Sequence, residues 1–230
     1  MIKYLLFIWL SFSTVAQIKN GSAQYNLTFG EDEKFKKSEI SSFYELAKQN
    51  AKFITFTIDF NEKEMVFYTN EYLESDNQNI SFSLSFSGVN GVYYKNKFDD
   101  FLFNQVEIEG LGNLVVQKDC VYNWNFTNET KMINDFLCYK ATTTKTIDSF
   151  TFPVIAWYCP KIPAPYGPKG YGGLPGLILE LQERSTLFGL VKIELNKQEA
   201  VNIKKPSKGK VVTEKQLEEL LEKQIFDNHD

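Results

Sequence analysis

The sequence has almost no histidine and no excess of positive charge. His229, next to the C-terminal residue, is the only histidine among 230 residues. Zinc sites, and hydrolases that activate a serine or cysteine, usually need an imidazole held in place, so both classes are disfavoured. The formal net charge of −4 argues against a nucleic-acid partner, because binding nucleic acid needs a basic surface.

Cysteine is also scarce, with three residues in the whole sequence: Cys120, Cys138 and Cys159. In an oxidising compartment two of them would form one disulfide and the third would be left over. All three are candidates for that bridge, and both the choice of pair and the alternative of three buried thiols remain open. A metal site built from the three would lack a visible fourth ligand, so neither a metal nor another cofactor is predicted.

Long hydrophobic runs are confined to the N-terminus. A positive Lys3, an apolar run from Tyr4 to Phe12 and small residues ending at Ala16 are typical of a secretory signal peptide. We therefore expect residues 1–16 to be removed and the mature protein to begin at Gln17, as one domain extending to residue 230. The alternative, an N-terminal membrane anchor, is disfavoured because the run is well short of the ~20 residues that span a bilayer.

No later stretch of the sequence is apolar enough to cross a bilayer, and no cysteine follows the expected cleavage site to carry a lipid. We therefore expect an exported protein without a transmembrane segment in its mature chain. Its predicted location is the periplasm, the outer membrane as an associated protein, or the extracellular space.

The rest of the sequence is rich in short segments that alternate between apolar and polar residues. With 43% hydrophobic and 15% aromatic residues, the chain is expected to pack a core. Alternating segments separated by polar breaks predict an antiparallel meander of strands. The predicted strands cover residues 21–29, 51–60, 63–69, 80–87, 91–95, 101–109, 114–118, 122–127, 136–144, 150–158, 177–183 and 187–195.

Two segments have the spacing of an amphipathic helix. One runs from Phe35 to Asn50, and the other from Glu214 to Phe226, after a capping box formed by Thr213 and Gln216. The predicted fold class is mainly β with two helices (α+β). We expect a strongly curved antiparallel sheet or partly open barrel, with one early helix and one C-terminal helix packed on it.

A glycine- and proline-rich segment precedes the strand that begins at Leu177. Pro175 followed by Gly176 predicts a type II turn, in which proline fixes the first central φ and glycine supplies a positive second one. The alternation after Gly176 predicts a strand with one buried face. Phosphate binding by these glycines is disfavoured because a strand, and not a helix, follows them.

The six residues Gly173, Leu174, Pro175, Gly176, Leu177 and Ile178 resemble the signature after which the GLPGLI family of exported Bacteroidetes proteins is named. Further stretches similar to that family, in the same order, are Trp124 to Lys131, Cys138 to Thr143, Ala156 to Tyr158, Ile162 to Pro163 and Tyr166 to Pro168. The resemblance covers residues 124 to 181 and implies an exported protein of unknown function. It supplies no catalytic residues.

Four aromatic residues bracket the loop between the predicted strands 150–158 and 177–183: Trp157, Tyr158, Tyr166 and Tyr171. They are weak candidates for stacking on a ligand over the mouth of a curved sheet; the alternative is that they close the core. The predicted function is a non-catalytic envelope protein that binds a ligand or a protein partner through the sheet and the segment 157–176.

Two other functions remain as alternatives. The basic segment Lys204 to Lys210 would suit a structural or assembly factor at the outer membrane, in contact with another envelope protein. Paired carboxylates would suit a hydrolase, since glycosidases use two such groups on either side of a bond. The pairs available are Glu31 to Glu33, Asp99 with Asp100, Glu107 with Glu109, and Glu218 with Glu219.

Overall fold

The structure is a computed structural model that describes residues 18–70, 80–147, 149–199, 201 and 203–227. The predicted signal peptide, the expected first mature residue and His229 lie outside these ranges. The strands are β1 Asn20–Phe29, β2 Thr55–Asn61, β3 Glu64–Thr69, β4 Val92–Asn96, β5 Phe101–Ile108, β6 Gly112–Asp119, β7 Asn125–Ile133, β8 Phe136–Ile147, β9 Phe150–Cys159, β10 Leu177–Glu183, β11 Thr186–Leu195 and β12 Lys210–Thr213. The α-helices are α1 Glu33–Lys36, α2 Ser41–Asn50, α3 Ser81–Ser87 and α4 Glu214–Asp227.

All twelve strands of the described residues belong to one sheet, in the order β12-β6-β5-β4-β3-β2-β1-β11-β10-β9-β8-β7. Every pair is antiparallel except β12 with β6, which is parallel, so the sheet is mixed. The two edge strands, β12 and β7, do not meet, and the sheet is neither closed into a barrel nor strongly curved. The predicted mainly β class is confirmed, whereas the partly open barrel and the strong curvature are wrong.

The helix prediction is also corrected, since the described residues form four α-helices where two were expected. The predicted strand 80–87 is α3: its alternating sequence also places Phe82 and Phe86 four residues apart, on one helix face. Phe86 packs against Tyr44 with ring centroids 5.1 Å apart, and Ser83 donates to the Ala47 carbonyl at 2.7 Å. Packing on α2 therefore decides an ambiguous pattern.

The early helix is divided in two by local hydrogen bonds. The Asp32 carboxylate accepts from the backbone N–H groups of Lys34 and Phe35 and so begins α1. Ser38 donates its hydroxyl to the Phe35 carbonyl at 2.8 Å. In a continuing helix that carbonyl would accept instead from the backbone N–H four residues later. The chain then starts again as α2.

Other predictions are confirmed. β10 covers the predicted residues 177–183, the hairpin of β2 and β3 is present, and α4 begins at the predicted capping box. In that box the Thr213 N–H donates to Gln216 Oε1 at 3.0 Å, and the Gln216 N–H donates to Thr213 Oγ1 at 3.3 Å.

The main core covers one face of the sheet, beneath α2, α3 and the 160–176 loop, by which we mean the chain between β9 and β10. Its largest fully buried side chains include Tyr25, Phe56, Phe67 and Phe188. Tyr25 donates its hydroxyl to the Ile178 carbonyl at 2.7 Å, so a buried side chain links β1 to the start of β10. Burial raises the pKa of Tyr25, which therefore stays a hydrogen-bond donor.

Candidate functional site

The 160–176 loop is held by its own backbone hydrogen bonds. The Gly173 N–H donates to the Pro165 carbonyl at 3.2 Å, and Tyr166 forms an isolated antiparallel bridge with Gly172. At its end the loop joins the sheet, because the Ile178 N–H donates to the Tyr166 carbonyl at 2.9 Å. Since these backbone groups are paired within the loop, its shape does not depend on a ligand.

The predicted type II turn at Pro175 and Gly176 is wrong in detail. The Gly176 N–H donates to the Leu174 carbonyl at 2.8 Å, which closes a three-residue turn centred on Pro175. Glycine is required at position 176 because a Cβ there would lie 2.1 Å from the Cys159 carbonyl oxygen. The turn therefore brings the loop against the end of β9.

A pocket of about 260 Å³ lies beside this loop. We call it the tyrosine pocket and define it by Lys95, Asp99, Asp100, Cys120, Tyr166 and Tyr171, all of which line it. The loop forms one wall, the connection between β4 and β5 forms another, and the chain after β6 contributes Cys120 and the exposed Val121. Three segments distant in sequence thus meet at one concave site.

Cys120 is fixed at the pocket by the β4–β5 connection. The Lys95 ammonium donates to Cys120 Sγ at 2.7 Å, to the Phe101 carbonyl at 3.3 Å and to the Asp99 carbonyl. The Cys120 thiol lies 3.0 Å from the Asp100 carbonyl, to which it donates. Asp99 and Asp100 are exposed, and their carboxylates make no hydrogen bond or ion pair with another described residue, so both are open to solvent or to a bound molecule.

The two tyrosines of the pocket are buried and differ in their partners. Tyr171 donates its hydroxyl to Glu183 at 2.5 Å, and its ring stacks on Tyr122 with centroids 4.6 Å apart. Tyr166 is 1% exposed, and its hydroxyl has no hydrogen-bond partner among the described residues. Trp124 donates its indole N–H to the Gly172 carbonyl at 2.9 Å, which holds the loop from the outside.

Glu183, the acceptor of the Tyr171 hydroxyl, is the centre of a buried charged cluster. It is 6% exposed and forms ion pairs with Lys145, at 3.0 Å, and with Lys169. Burial acts to raise the pKa of Glu183, but the ammonium groups of Lys169 and Lys145 outweigh it and lower that pKa to about 2. The carboxylate stays ionised and anchors the loop to β10.

Lys169 shows the cost of this arrangement. Burial lowers the pKa of Lys169, although the carboxylate of Glu183 acts to raise it. Its ammonium also donates to the Ser87 carbonyl at 3.0 Å, at the end of α3. The ion pair therefore joins the loop, β10 and α3, while one of its members is strongly desolvated.

The structure brings together two of the four predicted aromatic residues. Tyr166 and Tyr171 line the tyrosine pocket, but Tyr158 is buried at 7% exposure and contacts Tyr139, with ring centroids 6.1 Å apart. Trp157 alternates with Tyr158 along β9 and so points to the opposite face of the sheet.

The ring of Trp157 is already in contact with charged groups. The Lys131 ammonium lies 4.4 Å from the ring centroid, and that of Lys140 lies 5.9 Å away. Lys131 also pairs with Glu180 at 2.5 Å. The ring is therefore occupied by cation–π contacts within the chain and offers little free surface for stacking.

Sequence reasoning missed Lys95 as a pocket residue and considered Cys120 only for a disulfide. Asp99 and Asp100 were visible as a carboxylate pair in a polar break, but nothing in the sequence placed that break beside the 160–176 loop. All three cysteines are free thiols in the structure; Cys138 and Cys159 are fully buried and Cys120 is partly exposed. Within the described ranges, no group of three or more histidine, cysteine, aspartate or glutamate side chains could hold a metal ion.

The segment that carries the loop has a recognisable sequence. Residues 149–180 match a family model described as a protein of unknown function (Porph_ging). The match contains all of β9, the 160–176 loop and the start of β10, which together form the loop wall of the tyrosine pocket. No curated protein matches the chain.

The fold is similar to that of part of a larger protein. Two structures of PNGF-II, in the P21 and C2 space groups, match with TM-scores of 0.56 and 0.51, each at 12% sequence identity. The matches cover 88% and 85% of this chain but only 33% and 31% of the PNGF-II chain, so this chain spans about a third of that protein's length. None of the helices in the described ranges is long and apolar enough to span a bilayer.

Proposed function

We propose that this chain is an exported, non-catalytic binding protein of the GLPGLI type, and that the tyrosine pocket is its binding site. The observation that carries the proposal is a concave site whose loop wall is fixed by internal hydrogen bonds and whose two carboxylates, Asp99 and Asp100, have no described partner. Such preformed sites with a few polar groups are typical of ligand pockets.

The size and polarity of the pocket indicate the class of ligand. A volume of about 260 Å³ suits a small molecule or a single side chain of a protein partner. Two carboxylates accept hydrogen bonds from amino and hydroxyl groups. The expected ligand is therefore small and carries an amine or hydroxyl groups.

The proposal is tested by titrating the protein with ethanolamine, glucosamine and lysine methyl ester, with acetate as the control, while NMR shifts are recorded. At least one of the amines should shift the signals of residues 95–100 and 165–173, and the double variant D99N/D100N should lose the response. Native mass spectrometry of protein secreted by its own cells would show any ligand that is retained.

A pocket-filling variant supplies an independent check. Val121 lines the pocket and is 76% exposed, so V121W should block the site without disturbing the core. V191W is the matched control, because Val191 is also exposed, at 51%, and lies outside this pocket. If the amines bind V121W as well as the natural protein, or bind neither, the pocket is not the site.

Export is tested separately. N-terminal sequencing of protein recovered from the cell envelope or medium should begin at Gln17. A mature chain that still carries residues 1–16 would refute the signal peptide without bearing on the pocket.

The assembly-factor alternative receives less support. The basic segment that was expected to contact a partner packs instead on the chain's own sheet: the Lys205 ammonium lies 3.8 Å from the centroid of Phe103, and the Lys208 N–H donates to Gln105 Oε1 at 3.1 Å. Beyond residue 209 it continues into β12. The segment is therefore held on the sheet by the Lys205 side chain and by the backbone of Lys208.

A further inference from the structure

The pairing of β8 with β9 brings two of the three cysteines together. Tyr139 lies opposite Tyr158 in this antiparallel ladder, so one step further along the ladder Cys138 lies opposite Cys159. Directly opposed residues have Cα atoms ~4.5–5.5 Å apart, which falls within the range that a disulfide bridges. Both cysteines are fully buried.

The surroundings of the two sulfurs favour a reaction between them. The Cys138 thiol donates to the Phe136 carbonyl at 3.5 Å, and the interaction of the two sulfurs lowers the pKa of Cys159 and raises that of Cys138. The backbone N–H groups of Lys161 and Ile162 further stabilise the Cys159 thiolate. Cys159 is thus suited to be the attacking thiolate, since the thiolate is the reactive form.

Cys120 is held away from this pair. Its sulfur contacts Lys95 and the Asp100 carbonyl, and both belong to the β4–β5 hairpin. That hairpin lies on the other side of β1 from β8 and β9 in the strand order. Cys120 would have to leave the tyrosine pocket to reach either of the other two.

We propose that Cys138 and Cys159 form the single disulfide of the oxidised protein and that Cys120 remains a free thiol at the pocket. The oxidant is a small-molecule or protein disulfide. The Cys159 thiolate attacks one sulfur of that disulfide and releases its first thiolate. Cys138, after losing its proton, attacks Cys159 Sγ and releases the second, so two protein thiols are oxidised and one disulfide is reduced to two thiols.

The bridge would join β8 to β9 beside the edge strand β7. Cys138 lies opposite Lys131 of β7, so only one strand separates it from the sheet edge. Because the two sulfurs are buried, oxidation should occur during folding or when this edge opens, and the folded reduced protein should react slowly.

The test is to refold the reduced protein from urea in a buffer of reduced and oxidised glutathione, block the remaining thiols by alkylation and map peptides by mass spectrometry without reduction. We expect a linked pair of peptides containing Cys138 and Cys159, together with alkylated Cys120. A bridge that includes Cys120, or three alkylated cysteines, would overturn the proposal.

A variant removes the possibility of exchange with the third thiol. C120S should still lose two hydrogens on oxidation, and its oxidised form should have a folding equilibrium constant about a hundredfold larger than its reduced form, as expected from closing a loop of this length. C138S should form no intramolecular bridge. If oxidised and reduced C120S unfold at the same urea concentration, the two thiols are not joined in the native sheet.

Discussion

Replacing Glu183 by glutamine tests whether the buried charged cluster holds the 160–176 loop. Glutamine keeps an oxygen that accepts from the Tyr171 hydroxyl, but it removes the charge that compensates Lys169. The side chains of Glu183 and Lys169 are 7% and 10% exposed, so the ammonium would be left in a desolvated site without its counter-charge.

The size of the expected stability loss follows from the pKa of the Glu183 carboxyl group. Its decrease from 4.5 to about 2 on folding corresponds to about 3 kcal/mol of stability above pH 4.5. The ion pair as a whole contributes less than this ~3 kcal/mol, because burial destabilises the Lys169 ammonium more than Glu183 stabilises it, as the lowered pKa of Lys169 shows. Removal of one partner nevertheless costs about 3–5 kcal/mol.

The assay is urea unfolding followed by tryptophan fluorescence. A carboxyl group whose pKa is lowered on folding contributes stability above its unfolded-state pKa, and this contribution is lost as pH falls from 4.5 to about 2. The difference in unfolding free energy between the natural protein and E183Q should therefore be smaller at about pH 3 than at about pH 7. E180Q is the matched control on the same strand, where the more exposed pair with Lys131 should contribute about 1 kcal/mol or less.

A clear result would refute this reasoning. If E183Q and E180Q lost the same small free energy of unfolding at neutral pH, the cluster would not anchor the loop. A loss that stayed constant as the pH fell would show that glutamine disturbs packing and that the charge is not responsible. The double variant K169M/E183Q should recover part of the loss, because it removes the stranded ammonium together with the carboxylate.

Substitutions at two further sites, Gly176 and Asp32, test the backbone of the loop and the ion pair with Arg184. G176A should lower the free energy of unfolding by more than about 2 kcal/mol, because its Cβ would lie 2.1 Å from the Cys159 carbonyl oxygen. G173A is the control: a Cβ there would have no atom within 4 Å, and the φ of +80° alone should cost about 1 kcal/mol. Thermal unfolding distinguishes the two variants, and equal losses of stability would contradict the close contact. D32N should lower the free energy of unfolding by about 2 kcal/mol, since it removes the 2.5 Å ion pair with Arg184. Burial acts to raise the pKa of Asp32, but hydrogen bonds from Arg184 and Ser185 outweigh it and lower that pKa, so the loss should diminish as acid protonates Asp32. An unchanged urea midpoint at neutral pH would contradict this prediction.

Local patterns predicted the parts of the fold that local forces decide. β10 and α4 were predicted correctly because alternation and a capping box are both patterns of residues close together in the sequence. The strand assigned to residues 80–87 was wrong because a short apolar pattern fits either period, and contact with α2 decided between them. β12 was missed because four residues that pair with β6 across the chain leave no local signal.

The candidate site was predictable on one wall only. The motif Gly173 to Ile178 and the tyrosines of the loop stand together in sequence, so their association could be inferred. Lys95 lies in β4 and Cys120 directly follows β6, both far from the loop in sequence, and their contact at 2.7 Å depends on how β4, β5 and β6 pair. The register of β8 with β9, continued by one step, places Cys138 opposite Cys159, which sequence reasoning had left as one of several pairings.

The position of β1 has a consequence for how the molecule is assembled. The strands β2 to β6 and β7 to β11 form two consecutive meanders, and β1 joins them by pairing with β2 on one side and β11 on the other. Until residues 186–195 have been made, the first meander ends in an unsatisfied edge at β1. A chain cut near residue 120 would yield two pieces with complementary edges, so this topology lends itself to reconstitution from separately produced halves.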